Sequence, residues 1–412
     1  MRNYGLLWLI IIGLLTACGS TSTDDESALP TRFIPPETLE ATPTRETSFS
    51  AASAPEGTII SRAPTLPPTF TPTPLPTEIP TSTSTPTTQP QSGAIYFIYN
   101  GDSIIRLQDD GTFQELIVTF GVGVPIRELS ISPNGELLAF IAPGNGSAYE
   151  IWVSSLDGSY LQKISCLGFA DVRHLAWHPD SQQVAFAAAQ SVGSPLSLYV
   201  TSWVNSNQCP QGNNQRQILE VNSTQIGGIS YSADGNTLYF SNDSLYALDL
   251  NSNTLSAPLT ITRGIGADFG LSVRTATPNV IYYLQDTTID PNVVQEGLLY
   301  GIDGITGTRV FEYSSPIYWY DWGITHLLAS AKDAVYHVNP ETLVGETLVF
   351  STGILPYAVY SPDETHAAYV KLDINGIPQI YIQTIGREDA RQLTNITEGT
   401  ITDLIWVIYN GN

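Results

Sequence analysis

Short apolar segments that end at or near an aromatic residue recur along the chain from about residue 93. One segment runs into a turn, as in Leu129–Gly135, and a second ends in an aromatic residue, as in Leu138–Phe140. A third carries an aromatic residue after its first apolar position, as in Ile151–Val153, and a more polar segment, Gln162–Ile164, follows. The short length and the absence of a helical period predict four β-strands per unit.

This four-strand unit repeats. The aromatic or apolar anchors of the first strand lie about 46 residues apart, the spacing expected of a propeller blade. They are Ile131, Trp177, Tyr231, Val273, Trp322, Tyr360 and Trp406. Other recurring aromatics are expected to pack between blades. The sequence therefore predicts an all-β, seven-bladed β-propeller over residues 93–412, with six or eight blades as alternatives because two units are degenerate.

The two ends of the repeat region complement each other. Its last strand, Thr402–Val407, has the pattern of a first strand, and the opening segments Ala94–Phe97, Ser103–Leu107 and Phe113–Val118 have the pattern of strands two to four. We expect these four to form one split closing blade. Such a blade would close the ring and leave no open sheet edge.

The N-terminus has the features of an export signal. The apolar run Leu6–Leu15 is too short for a comfortable membrane span and suits a signal-peptide core. It ends in Leu15-Thr16-Ala17-Cys18, which resembles the bacterial lipobox. The resemblance implies that residues 1–17 are removed and that Cys18 receives diacylglycerol. Two or more acyl chains anchor a protein stably, so we expect an extracytoplasmic lipoprotein on the cell membrane, or on an outer membrane if the cell has one.

Residues 18–92 are predicted to be a disordered stalk. From Thr65 to Pro90 almost every residue is Pro, Thr or Ser. Proline withholds a backbone donor, and the few apolar residues cannot offset the entropy of ordering. The stretch favours an extended spacer between the membrane and the repeat region.

Charge and missing motifs narrow the function. The chain has 39 acidic and 16 basic residues and a net charge of −23, which argues against a nucleic-acid partner. It has no Gly-x-Ser-x-Gly, His-Glu-x-x-His, Cys-x-x-Cys or phosphate-loop motif. We therefore expect no cofactor and no metal, and we expect a monomer. Setting Cys18 aside, Cys166 and Cys209 could form a disulfide outside the cytosol.

One repeat is specific enough to suggest a family. Ser132–Phe140, followed by Tyr149–Val153 and Asp157-Gly158, resembles the PD40 (WD40-like) repeat of TolB-type propellers, and residues 177–186 and 360–369 support this. The resemblance implies a fold and not an activity. TolB itself carries an additional α/β domain where this chain has its predicted stalk, so a Tol–Pal role is not implied.

First strands line the channel of a propeller, so residues near their starts are candidates for a ligand site at one mouth of it. These candidate rim residues are Arg127, Glu128, Arg173, His174, Trp319, Asp321, Tyr357 and Asp403. The first hypothesis is a non-catalytic binding or scaffold module for a protein, peptide or glycan. The alternative is a propeller enzyme, a lyase or glycoside hydrolase, using Asp321 and Asp403 as its carboxylates. A third is a purely structural envelope protein.

Overall fold

The computed structural model describes residues 93–112, 114–144, 148–204, 215–260, 268–288 and 295–408. The predicted signal peptide and stalk, Cys18 and Cys209 lie outside these residues. Contacts divide the chain into two units, Met1–Ser82 and Thr83–Asn412, and every described residue belongs to the second. Within the described ranges, no helix has the length and apolarity that crossing a bilayer requires.

The described residues form 28 strands. The first half of the chain contains β1 (Gly93–Tyr99), β2 (Ser103–Gln108), β3 (Gln114–Thr119), β4 (Arg127–Ile131), β5 (Leu137–Pro143), β6 (Tyr149–Ser155), β7 (Leu161–Lys163), β8 (Asp171–Trp177), β9 (Gln183–Ala189), β10 (Ser197–Ser202), β11 (Arg216–Glu220), β12 (Gly228–Tyr231), β13 (Thr237–Ser241), β14 (Leu245–Asp249) and β15 (Thr254–Leu255). The second half contains β16 (Asp268–Arg274), β17 (Thr277–Asp286), β18 (Gly297–Asp303), β19 (Arg309–Ile317), β20 (Trp319–Trp322), β21 (Leu327–Ala331), β22 (Ala334–Val338), β23 (Gly345–Phe350), β24 (Ile354–Tyr360), β25 (His366–Leu372), β26 (Pro378–Thr384), β27 (Arg391–Gln392) and β28 (Ile401–Ile408).

These strands form seven antiparallel four-stranded sheets, and the seven-bladed propeller is confirmed. Blades 1 to 6 are consecutive, from β4–β7 for blade 1 to β24–β27 for blade 6. Blade 7 has the order β28-β1-β2-β3. Trp406 pairs with Ile95 and Ile405 with Tyr96, so the two ends of the repeat region share one sheet as predicted.

The turn after the first strand explains why the repeat is readable in the sequence. In blade 1 the Ser132 hydroxyl bonds to Asn134 and accepts from the Leu137 N–H, and Gly135 takes a φ of +72°. Ser232 and Ser361 make the same bonds in blades 3 and 6. A short side-chain acceptor and a residue that tolerates the left-handed region are what such a turn requires.

Apolar residues of neighbouring blades pack face to face. In the cluster between blades 1 and 2, Ile151 and Val153 meet Trp177 and Phe186. Four of the recurring aromatics are buried, namely Trp177, Tyr199, Tyr360 and Trp406. Trp152, Tyr246 and Tyr336 are only partly buried. This packing fixes the inner strands β4, β8, β12, β16, β20, β24 and β28 around the channel.

Candidate functional site

The inner strands carry an unusual backbone conformation at one position. Glu128, His174 and Asp403 have φ of +50°, +57° and +52°, and Gly270 has +62°. The pairing of β4, β8, β16 and β28 with the adjacent strand shifts register at these positions. The left-handed region costs a non-glycine residue about 1–2 kcal/mol, and such strain concentrates at functional sites. All four residues lie three positions before the anchor of the strand.

A concave space of about 460 Å³ lies where these positions meet, and we name it the central cavity. Six of the seven residues at this position line it, contributed by blades 1 to 5 and 7. They are Glu128, His174, Gly228, Gly270, Trp319 and Asp403. The cavity lining also includes Phe269, Tyr318 and Tyr320 but no Lys or Arg among the described residues. Aromatic rings and carboxyl groups therefore make up much of the described lining.

Asp403 and Glu128 lie together across the junction of blade 7 and blade 1. The Asp403 carboxylate accepts a hydrogen bond from the backbone N–H of Glu128. Burial, and then the charge of Glu128, raises the pKa of Asp403 to about 7. The Asp403 carboxyl group therefore keeps its proton to a higher pH than an ordinary aspartate does.

Glu128 and His174 continue this arrangement into blades 2 and 3. Glu128 Oε2 accepts from the Leu175 N–H at 3.1 Å, and His174 Nε2 lies 2.8 Å from the carbonyl oxygen of Ile226. A carbonyl can only accept, so Nε2 of His174 carries a hydrogen. Nδ1 lies 3.9 Å from Glu128 Oε1. The carboxyl groups of Asp403 and Glu128 and the imidazole of His174 therefore form one polar wall.

Aromatic rings form another part of the wall. Trp319 is 36% exposed, and its ring centroid lies 5.8 Å from that of Tyr357. The Tyr320 hydroxyl donates to the carbonyl oxygen of Gly270 and lies 2.9 Å from the Ser272 hydroxyl, which ties blade 5 to blade 4. Trp319 thus presents an indole face that is held in place by its neighbours.

The two candidate arginines are directed elsewhere. Arg127 places its guanidinium 4.6 Å from the ring centroid of Tyr149 and bonds to the Tyr149 hydroxyl at 3.0 Å. Arg173 forms an ion pair with Asp171 at 2.7 Å. Neither lines the central cavity. Each arginine directly precedes a residue of the cavity, Glu128 or His174, but its own side chain is bound to other partners.

Asp321 is also placed apart from the central cavity. It lines a separate space of about 460 Å³ with Arg274 and Trp322, and its carboxylate accepts from the Tyr360 N–H at 2.9 Å. Burial raises the pKa of Asp321 to about 6. The structure therefore brings Asp403 next to Glu128, whereas Asp321, the other carboxylate of the enzyme hypothesis, lines a different cavity.

Sequence reasoning did not identify the Asp403–Glu128 contact. Asp403 lies near the end of the chain and Glu128 near the start of the repeat region, and only closure of the ring makes their strands neighbours. Tyr318, Tyr320 and Phe269 were also missed as lining residues. The sequence signal that did identify cavity residues is their position, three residues before each first-strand anchor.

Cys166 is disulfide-bonded. Its predicted partner, Cys209, lies outside the described residues, so the Cys166–Cys209 pairing stays a prediction. Among the described residues, no group of three or more His, Cys, Asp or Glu side chains is arranged to hold a metal ion.

Fold and site together define a seven-bladed β-propeller with an acidic, aromatic cavity at its inner strands. No protein-family model matches the chain. It is 22% identical over 244 residues to a protein of Sulfurisphaera tokodaii named as a Tricorn-like protease C-terminal subunit. That match spans 56% of this chain and 26% of the relative, so this chain covers about a quarter of the relative's length.

Solved structures with a similar fold have low sequence identity. TolB from Acinetobacter baumannii is 12% identical with a TM-score of 0.46, over 77% of this chain and 66% of TolB. A chain of a nidogen/laminin complex is 12% identical with a TM-score of 0.46, over 62% of this chain and 92% of its own. A chain of a mitotic checkpoint complex is 13% identical with a TM-score of 0.47, over 67% of this chain and 80% of its own. The propeller assignment itself rests on the strand pairing of this chain.

Proposed function

We propose that this chain is a lipid-anchored, extracytoplasmic binding protein with PD40-type repeats, whose central cavity holds an ammonium group of a protein or peptide partner. The observation that carries the proposal is the Glu128–Asp403 pair in a cavity without Lys or Arg among its described lining residues. The lipobox-like segment ending at Cys18 supports the anchor.

The expected ligand chemistry follows from the charges of the residues that line the central cavity. Glu128 and Asp403 offer acceptor oxygens, and no Lys or Arg is among the described residues of the lining. A carboxylate or phosphate group would be repelled there, whereas an ammonium group donates three hydrogen bonds. The indole of Trp319 can add cation–π attraction. A peptide N-terminus or a lysine side chain has this chemistry and can reach a channel mouth.

Calorimetric titration tests the cavity with a lysine-containing peptide, its N-acetylated form and a form with acetylated lysine. We expect tight binding to need at least one free ammonium group, and comparing the two acetylated forms identifies which one. Glu128→Gln and Asp403→Asn should each weaken binding by about tenfold or more, the effect of one lost charge-assisted hydrogen bond. Glu398→Gln, at an exposed carboxylate, is the matched control. Equal binding of a fourth peptide, acetylated at both its N-terminus and its lysine, would refute the ligand assignment.

The anchor has its own test. Cys18→Ala should release the protein from the membrane fraction into the medium or periplasm, because no thiol remains to carry diacylglycerol. Ser20→Ala is the control, since it changes a residue close to Cys18 and leaves the Cys18 thiol in place. A Cys18→Ala protein that stays with the membrane would refute the lipoprotein assignment and leave the cavity proposal untouched.

A specific observation also favours a second function. A carboxyl group with a pKa near 7 beside a second carboxylate is an arrangement used for general acid–base catalysis. In that case Glu128 would replace Asp321 as the second carboxylate beside Asp403 in a lyase or glycoside hydrolase. Peptide hydrolysis is a further candidate reaction, because the partial relative is named as a subunit of a Tricorn-like protease. Turnover of a glycan or peptide library, abolished by Asp403→Asn, would establish catalysis over simple binding.

A further inference from the structure

The space that Asp321 lines, about 460 Å³ in volume, lies at the junction of blades 4 and 5, and we name it the Arg274 pocket. Its walls include the turn that joins β16 to β17 and part of the turn that joins β20 to β21. The lining includes Val273, Arg274, Ala276, Asp321, Trp322 and Ile324. None of these six residues lines the central cavity, although Ser272 and Tyr320 border both spaces. The proposed function therefore leaves the Arg274 pocket without a role.

The guanidinium group of Arg274 is held in place by uncharged groups. Its Cζ atom lies 4.1 Å from the ring centroid of Trp322. Nη2 donates to the carbonyl oxygen of Ile324 at 3.1 Å and lies 3.4 Å from that of Gly323. Trp322 itself packs against Tyr282, with ring centroids 4.6 Å apart. A side chain that is already fixed loses less conformational entropy when a partner binds to it.

Part of this guanidinium group has no partner within the described chain. Arg173 and Arg309 each form an ion pair with a nearby carboxylate, whereas no described carboxylate pairs with Arg274. The Nε and Nη1 atoms of Arg274 have no hydrogen-bond partner among the described residues, and both are accessible to solvent. An arginine keeps its charge at all ordinary pH values, and its N–H groups match the geometry of a carboxylate. The pocket therefore presents a fixed cation with accessible donors.

Exposed apolar side chains lie at the same end of blades 4 and 5 as this cation. In a four-stranded antiparallel blade, the turn between the first two strands and the turn between the last two lie at one end. These turns carry Ile324, Ile305 and Val344, which are 65%, 79% and 69% exposed. The first turns of blades 1, 2, 3 and 6 expose no large apolar side chain; they are residues 132–136, 178–182, 232–236 and 361–365. The two blades with degenerate repeats are thus the ones that expose apolar residues in these turns.

We propose that this end of blades 4 and 5 docks a protein partner, which places one aspartate or glutamate side chain against Arg274 and packs apolar residues on Ile324. Charge complementarity carries the choice of partner, because Arg274 is the only Lys or Arg among the described lining residues of the pocket. Asp321 in the same lining repels a second anionic group, so a single carboxylate fits better than a phosphate or a run of acidic residues. Arginine and tryptophan are also the residues that most often anchor protein interfaces.

Fluorescence anisotropy with the full chain in detergent tests this. The probes are dye-labelled peptides with an amidated C-terminus and the sequence Ala-X-Asp-X-Ala, where X is Leu, Ile, Val or Phe. We expect at least one to bind, and its asparagine counterpart to bind about tenfold or more weakly. Arg274→Gln should weaken binding of the aspartate peptide by a similar factor, and Ile324→Ser by about threefold or more. Arg309→Gln is the matched control and should leave the affinity within about twofold, because Arg309 already pairs with Glu312.

Four results would overturn the proposal. They are no binding by any aspartate peptide, equal binding of an aspartate peptide and its asparagine counterpart, unchanged binding by a folded Arg274→Gln protein, and binding only of peptides with a free C-terminal carboxylate. Thermal unfolding of each variant separates loss of the site from loss of the fold. Binding of the lysine peptide to the central cavity should be unaffected by Arg274→Gln, so the two sites are scored independently.

Discussion

The Glu128 carboxylate accepts a hydrogen bond from the backbone N–H of Leu175, 3.1 Å away in the next blade. The same direction of bonding recurs where Asp403 accepts from Glu128 N–H and where Asp321 accepts from Tyr360 N–H at 2.9 Å. Inner-strand side chains thus link one blade to the next around the channel. The central cavity uses the residues that also hold the ring together.

Removing the charge of Glu128 should lower the pKa of Asp403 from about 7. Glutamine at position 128 can still accept from the Leu175 N–H, so the link between blades is retained while the negative charge that disfavours ionised Asp403 is lost. NMR titration of the Asp403 carboxyl carbon in wild type and Glu128→Gln measures the shift. An unchanged Asp403 pKa in the folded variant would show that burial alone sets it.

Stability should fall as pH rises from about 4 to about 7, because the folded pKa of Asp403 lies above its unfolded value near 3.8. Over that window folded Asp403 binds more protons than the unfolded chain, so its contribution is complete below pH 4 and is lost above pH 7. The slope from this group is at most about 1.4 kcal/mol per pH unit. Urea unfolding at several pH values should give a flatter profile for Asp403→Asn, and the Glu398→Gln control should keep the wild-type slope.

The hydrogen bond from the Tyr360 N–H to Asp321 joins blade 5 to blade 6, and its contribution to stability can be measured. Asp321→Ala leaves the Tyr360 N–H without an acceptor and should lower the free energy of unfolding by roughly 1–3 kcal/mol. Asp321→Asn keeps an oxygen that can accept this bond and should cost much less. Chemical denaturation of the two variants provides the comparison. Equal losses would mean that charge or packing, and not the link to blade 6, is what matters at this position.

How far the sequence predicts this molecule depends on whether a feature is local. The Ser132–Gly135 turn and the aromatic anchors follow from side-chain chemistry within a few residues, so blade number and the split blade were predicted correctly. The contact between Asp403 and Glu128 depends on ring closure, and the direction of Arg127 depends on Tyr149. Neither leaves a local signal. The positive φ of His174 could not be predicted either, because the residue at that position is not a glycine.

A leucine in the left-handed region offers a stabilising substitution. Leu343 has a φ of +57° in the turn that joins β22 to β23, and its side chain is 43% exposed. Leu343→Asn should raise the free energy of unfolding by up to about 1 kcal/mol, because asparagine tolerates this conformation better than leucine. Val344→Asn is the neighbouring control and should bring no gain. Thermal or urea unfolding of both variants measures the change in the free energy of unfolding. A lower value for Leu343→Asn than for the wild type would mean that the leucine side chain contributes more to stability than its backbone strain costs.

Closure of the ring by β28 should be essential for a soluble fold. A chain that stops at Thr400 loses the strand that pairs with β1, so the backbone groups of β1 from Gly93 to Tyr99 become an open edge of mostly buried apolar residues. Open apolar edges promote strand addition and aggregation. We expect the truncated protein to form oligomers in size-exclusion chromatography, and a synthetic peptide of residues 401–412 to restore monomer. The same peptide with Leu404→Asp is the control, because Leu404 is buried in the cluster between blades 6 and 7. A truncated chain that remains monomeric and cooperatively folded would show that closure by β28 is dispensable.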